Sequence, residues 1–222
     1  MKMSKSHIIA YAISIVVLII LAIQIYKRYF SEKIAPKIDE VLLQKRDMDI
    51  VFGNDSANLT MYVYASYQCS YCRKFFDEVF PILENKYIES GQLNVIFRPT
   101  ARTVGNEREN ALKALVCVNK YGNFTYLHKL LLSNFRVMYT DEFIQMVNSF
   151  KDKDPFVGEC IDGTEAKDYL TANIKEFEKL EFKGTPTFVI NNRVYIGYRE
   201  TEQMEKIIDN LLQNKITSNI NH

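Results

Sequence analysis

Residues 59–76 read Leu-Thr-Met-Tyr-Val-Tyr-Ala-Ser-Tyr-Gln-Cys-Ser-Tyr-Cys-Arg-Lys-Phe-Phe. The first seven are apolar, aromatic or β-branched and read as a buried strand, Leu59 to Ala65. From Phe75 the apolar residues Phe75, Phe76, Val79, Phe80, Leu83 and Tyr87 recur at helical spacing, and Leu93 to Phe97 returns to a strand. A strand, a helix and a second strand in that order form a βαβ unit. Its strands pair in parallel through a right-handed crossover, so the core is α/β.

Outward from this unit the pattern changes. Between residues 106 and 180 the apolar residues fall in helix-spaced groups (Ala111, Leu112, Ala114, Leu115 and Val118; Leu127, Leu130 and Leu131; Phe143, Ile144 and Val147), with no strand in evidence. Thr187 to Ile190 and Arg193 to Ile196 then read as two strands around Asn191-Asn192, a pair that tolerates the positive φ angles of a two-residue hairpin turn. A last helix carries Met204, Ile207, Ile208, Leu211 and Leu212 on one stripe. The expected organisation is an α/β body from residues 50–105 and 181–214, a helical insertion at 106–180, and a polar, frayed tail at 215–222.

The N-terminus reads differently. Ile8 to Ile25 is an uncharged run of 18 residues, long enough at about 1.5 Å per residue to cross most of a bilayer core. It ends in Gln24, Ile25, Tyr26, Lys27 and Arg28 rather than in small residues suited to cleavage, so a retained membrane anchor over residues 1–30 is expected. Residues 31–49, with Pro36 before Ile38, Val41 and Leu42, read as a stalk with one short amphipathic helix that docks on the domain or meets another copy. The whole chain of 222 residues is 47% hydrophobic with a formal net charge of +1, a composition that buries a core and excludes disorder. Without residues 1–30, which hold four basic residues and no acid, 24 basic residues face 27 acidic ones; no basic patch marks nucleic acid as a partner.

Cys69 and Cys72 lie where the first strand gives way to the helix. At a helix N-terminus the unpaired N–H groups and the helix dipole favour a thiolate, which makes Cys69 the expected nucleophile. Cys72, one turn further in, is placed to attack a mixed disulfide formed on Cys69. A zinc site would need a second close ligand pair, and neither Cys117, Cys160 nor His128 has one, so no metal is expected. A merely structural bridge between Cys69 and Cys72 is the other bland reading. Cys117 and Cys160 remain and are expected to form a disulfide within the helical insertion, two buried free thiols being the alternative. His128, beside Leu127, Leu130 and Leu131, reads as a surface or partly packed residue rather than a base, and Arg73 and Lys74 as a solvated face. Of Tyr62, Tyr64, Tyr67 and Tyr71, only Tyr71 is singled out for a peptide groove, by its position between the cysteines.

The segment from Tyr64 to Phe75 resembles the active-site segment of the DsbA-like thiol:disulfide oxidoreductases, within the thioredoxin-fold superfamily. Phe52-Gly-Asn-Asp-Ser-Ala, Val95-Ile-Phe-Arg, Tyr121-Gly-Asn-Phe-Thr-Tyr-Leu-His and Gly184-Thr-Pro-Thr-Phe-Val-Ile-Asn-Asn resemble that family in the same order, over about residues 48 to 213. The resemblance implies a thioredoxin fold with an inserted helical domain, catalysis by Cys69 and Cys72, and a cis-proline loop in which Thr185 and Pro186 face the cysteines and offer backbone to an extended substrate. Two residues depart from the best-known oxidases: Ser70-Tyr71 stands in place of Pro-His, and Thr185 before the proline resembles disulfide isomerases. A middling reduction potential is the expectation, because the thiolate then keeps only the helix dipole and backbone N–H groups.

The expected function is therefore a membrane-anchored thiol:disulfide oxidoreductase acting on cysteine-containing proteins, with no bound cofactor. The domain is expected on the periplasmic side of the cytoplasmic membrane, with Lys2 and Lys5 inside. Its redox partner would be a quinone-linked membrane protein resembling DsbB or a reductant-delivering protein. The alternatives are an isomerase or reductase on the same fold, or a non-catalytic, disulfide-stapled binding domain.

Overall fold

The structure is a computed structural model describing residues 14–22, 38, 43–100 and 106–220. The chain divides into two compact units, Met1–Pro36 and Lys37–His222. In the first, residues 14–22 are helical with exposed side chains; the rest of the expected 8–25 span lies outside the described residues. Among the described residues no helix is long and apolar enough to cross a membrane.

The second unit is built on a five-stranded sheet: β1 (Ile50–Phe52), β2 (Leu59–Ala65), β3 (Leu93–Pro99), β4 (Thr187–Ile190) and β5 (Arg193–Ile196), in the order β1-β3-β2-β4-β5. β2 and β3 are parallel from Leu59↔Leu93 to Ala65↔Pro99, and the other pairs are antiparallel. Their crossover is helix α1, residues 70–88, which passes from α (Ser70–Lys74) to π (Phe75–Val79), back to α (Phe80–Leu83) and again to π (Glu84–Ile88). Pro81, with no N–H to donate, lies between the two π segments. The apolar stripe of α1 is buried throughout. Asn191 and Asn192 take φ of 48° and 62°, the positive values the β4–β5 turn demands.

The insertion is helical: α2 (Asn106–Tyr121), α3 (Thr125–Ser133), a 3-10 turn (Phe135–Tyr139), α4 (Asp141–Lys153), α5 (Pro155–Asp162) and α6 (Glu165–Lys179). Thr140 and Asp154 cap α4 and α5 through their side chains. Cys117 of α2 and Cys160 of α5 are joined by a disulfide across a sequence separation of 43. The final helix, α7, runs Thr201–Ile220, beyond the expected end at 214. No Gly or Pro follows Asn214 to stop the backbone.

Two further corrections concern the front of the domain. β1 pairs with β3 as a strand of three residues, too short to show alternation. Part of the expected stalk belongs to the body: Leu43, Met48 and Asp49 are buried, and the Ile38 N–H donates to the Asn192 carbonyl at 2.8 Å. Burial there centres on Arg98 of β3, whose side chain is 0% exposed. Its Nε and NH2 donate to the two oxygens of Asp49 at 2.9 and 2.8 Å, and its NH1 donates to Glu176 of α6 at 2.8 Å. Arg46 reaches the same Glu176 oxygen at 2.9 Å, Tyr64 donates to it, and Tyr169 donates to Asp49. One buried guanidinium thus ties residues 44–49, the sheet and the insertion together, with its N–H donors matched to carboxylates.

Candidate active site

Cys69 is the N-cap residue of α1, extended at φ −79° and ψ 118°, and its carbonyl accepts from the N–H groups of Cys72 and Arg73 at 3.1 Å each. Its side chain is partly exposed, whereas Cys72 is buried. The Cys72 Sγ accepts from the Ser66 N–H at 3.4 Å. Both are free thiols here, and in that form Cys69 Sγ donates to the Thr185 carbonyl at 3.2 Å.

These neighbours split the two thiols. The Cys72 thiol bonded to it holds the Cys69 thiol down to about 5, against partial burial, with further support from the Thr185 side chain and the N–H groups of Cys72 and Tyr71. The Thr185 carbonyl favours the protonated form, and these donors outweigh it. Burial, then the neighbouring Cys69, pushes Cys72 well up. One sulfur is an accessible thiolate and the other a buried thiol, the division of labour that exchange requires. The support from Cys72 adds to the helix dipole and backbone N–H groups expected to stabilise Cys69, and the Thr185 side chain acts in the same direction.

The Thr185–Pro186 peptide is cis. The Thr187 hydroxyl donates to the Gly184 carbonyl at 2.6 Å, and the Pro186 carbonyl accepts from the Gly197 N–H at 2.8 Å, so the loop is fastened on both sides. Beside it opens a groove of about 460 Å³. Cys69, Gln68 and Ser66 line it from the active-site turn, and Lys183, Gly184 and Thr185 from the cis loop. Ile174, Phe177 and Glu178 of α6 contribute from the insertion, as does Arg108 of α2.

Of the expected site residues, Cys69, Cys72 and Thr185 converge here, and Pro186 is buried beneath the loop. Tyr71 does not line this groove; it is 60% exposed, its ring 6.1 Å from that of Tyr198. Arg73 turns inward, donating to the Tyr67 carbonyl at 2.7 Å, while Lys74 lies over the Tyr198 ring. Gln68 and Arg108 escaped the sequence reading. Gln68 Nε2 donates to the Tyr139 hydroxyl at 2.7 Å, and its Oε1 accepts from Arg108 at 3.1 Å. Their one local signal was the position of Gln68 directly before Cys69.

His128 is also corrected. It is 7% exposed and packed among Phe52, Phe76, Phe97 and Phe124, with Nδ1 2.6 Å from the hydroxyl of the buried Tyr67. Burial, with a smaller push from Lys129, lowers it from 6.5 to about 4. The folded state therefore holds a neutral imidazole that the unfolded chain protonates below pH 6.5. Its contribution is complete above that pH and is lost as pH falls towards 4. Urea unfolding is expected to show roughly 2 to 3 kcal/mol less stability at pH 4.5 than at pH 7 from this group. His128→Gln, which keeps an acceptor for Tyr67, removes that increment; an unchanged pH dependence would contradict the assignment.

The family described as Thioredoxin matches residues 45–210, well over half of the chain. A protein of Rickettsia conorii named as a protein-disulfide oxidoreductase is 25% identical over 185 residues, covering 81% of this chain and 66% of that protein. One of the same name from Rickettsia prowazekii is 24% identical over 181 residues, covering 79% and 65%. The chain spans just under two thirds of the length of both. Among solved structures, Wolbachia pipientis alpha-DsbA1 superposes with a TM-score of 0.66 at 23% identity, over 81% of this chain and 98% of that one. The catalytic domain of Proteus mirabilis ScsC gives 0.61 at 22%, over 78% and 93%. The matched span takes in every strand, both free cysteines and the cis Thr185–Pro186 loop, and the chain belongs to the thioredoxin family, carrying the DsbA-like form of its fold.

Proposed function

We propose that the protein is a thiol:disulfide oxidoreductase that exchanges disulfides with cysteine-containing proteins outside the cytoplasm, held to the cytoplasmic membrane through residues 8–25. The observation that carries this reading is the pairing of a partly exposed Cys69 at a helix N-cap, its pKa held down to about 5, with a buried Cys72 thiol behind it and the cis Thr185–Pro186 loop against it. The names of the Rickettsia relatives support the same chemistry.

In the oxidising direction the Cys69–Cys72 disulfide is attacked at Cys69 Sγ by a substrate thiolate. The Cys69–Cys72 bond breaks, a bond from Cys69 to substrate forms, and Cys72 leaves with the electron pair and takes up a proton. A second substrate thiolate attacks the substrate sulfur, forming the substrate disulfide and expelling Cys69 as a thiolate. The substrate has lost two electrons and the protein has gained them. Because the low pKa of Cys69 stabilises its leaving form, this second step is fast. In the reverse direction the Cys69 thiolate opens a substrate disulfide and Cys72 resolves the intermediate, which is the isomerase or reductase reading. A membrane protein resembling DsbB, or a reductant-delivering one, resets the pair.

Topology gives a direct test. The uncharged run of residues 8–25 and the paired thiols support a domain on the periplasmic side. Protease added to intact spheroplasts is expected to digest the domain; protection until the inner membrane is lysed would reverse the orientation. The full chain, oxidised and mixed with a reduced unfolded ribonuclease, is expected to introduce disulfides stoichiometrically, and the reduced chain to open a mispaired ribonuclease; failure of the first alone would leave the reverse direction, and failure of both would remove the enzymatic reading.

A further inference from the structure

We infer that the groove beside Cys69 receives an acidic side chain of the substrate, so that the protein prefers cysteines with a carboxylate within about two or three residues along the chain. The inference rests on the disulfide-exchange reading and concerns which substrates that site takes.

Among the described residues two cations line the groove, Arg108 and Lys183, against one carboxylate, Glu178. Among the described residues neither cation has a carboxylate within 4.0 Å, whereas the buried Arg98 and the nearby Arg46 are both matched. Arg108 is partly buried and held: its NH1 donates to Gln68 Oε1 at 3.1 Å, and Gln68 is itself pinned by its bond to the Tyr139 hydroxyl at 2.7 Å. A guanidinium fixed through one N–H keeps the others for a ligand, and its planar fork suits a carboxylate. Glu178 is exposed and makes no ion pair with either cation, so water screens it more than it screens Arg108.

Spacing follows from the covalent geometry of exchange. The substrate sulfur must reach Cys69 Sγ, and Gln68, the residue that holds Arg108, is the chain neighbour of Cys69. An extended segment paired with the backbone at Thr185 advances about 3.3 Å per residue, so Arg108 meets a side chain close to the reacting cysteine. Phe177 and Ile174 on α6 supply an apolar wall for the rest of the segment.

The test uses the full chain, oxidised, with matched single-cysteine peptides carrying Glu, Gln or Lys at each position within three residues of the cysteine. At low salt the best Glu peptide is expected to exchange about tenfold faster than its Gln counterpart, the size of one charge-assisted hydrogen bond, with Lys slowest. In 0.5 M NaCl the advantage should fall below about threefold. Arg108→Gln is expected to bring the Glu-to-Gln ratio close to one, and Lys183→Gln, on an exposed loop residue, to reduce it. Arg108→Lys should retain part of it, and Glu178→Gln should raise it. Equal rates for Glu, Gln and Lys peptides, or a preference for Lys, would overturn the inference and leave the exchange reading standing. Absence of exchange with every peptide would remove both.

Discussion

Replacing Cys69 by Ser is expected to reduce disulfide exchange to the uncatalysed background, and replacing Cys72 by Ser to leave the protein stalled as a mixed disulfide with its substrate. The first follows because the thiolate is the reacting species and Cys69 alone is both ionised and accessible. The second follows because Cys72 is the one free thiol placed to resolve the bond formed on Cys69. In the Cys72→Ser protein a hydroxyl still donates to the Cys69 sulfur, so the nucleophile survives while the resolving step is lost. Acid trapping followed by non-reducing electrophoresis separates the outcomes. Adducts on the Cys69→Ser protein, or none on Cys72→Ser, would invert the assigned roles.

The largest expected change in stability comes from Arg98. Arg98→Met leaves Asp49 and Glu176 buried with, among the described residues, only the Arg46–Glu176 ion pair remaining, and uncompensated buried charge of this kind costs about 3 to 5 kcal/mol. For a domain of ordinary stability this is a large share of the whole, and urea unfolding should show it directly. Arg98→Lys is expected to recover little, because one ammonium cannot serve two Asp49 oxygens, Glu176 and the Gln44 carbonyl together. A chain begun at residue 50 should be destabilised in the same way, since it omits Asp49 and the buried Leu43 and Met48. A loss under about 1 kcal/mol for Arg98→Met would mean that the cluster is solvated and does not join the sheet to the insertion.

The parts of this fold that could be read from residues alone are those with local signals. Leu59–Ala65, Thr187–Ile190 and Arg193–Ile196 are apolar runs flanked by polar residues or turns, and the structure places strands at those bounds. Cys69 and Cys72 were legible because a thiol pair at a strand-to-helix junction has specific chemistry. The buried cluster was not. Arg98 lies 49 residues from Asp49 and 78 from Glu176, and the one hint was a charge ending the otherwise apolar Val95-Ile96-Phe97. Neither distance along the chain nor residue type says that carboxylates from two other elements will meet it. The burial of His128 is hidden from the sequence for a related reason. Helical spacing assigned its neighbours Leu127 and Leu131 to the core but could not show that aromatic rings from β1, β3 and α1 close over the imidazole as well. Gln68 and Arg108 meet only because the insertion folds back over the active-site turn.

Exchange at this site depends above all on Cys69 being a thiolate under working conditions, made so by the Cys72 thiol, Thr185 and the start of α1. The pH dependence of Cys69 alkylation in the reduced full chain measures this directly, since Cys72 is buried and its pKa is pushed up. Half-maximal reactivity near pH 5 is the predicted result; a midpoint near the ordinary thiol value, about 8.5, would contradict the account.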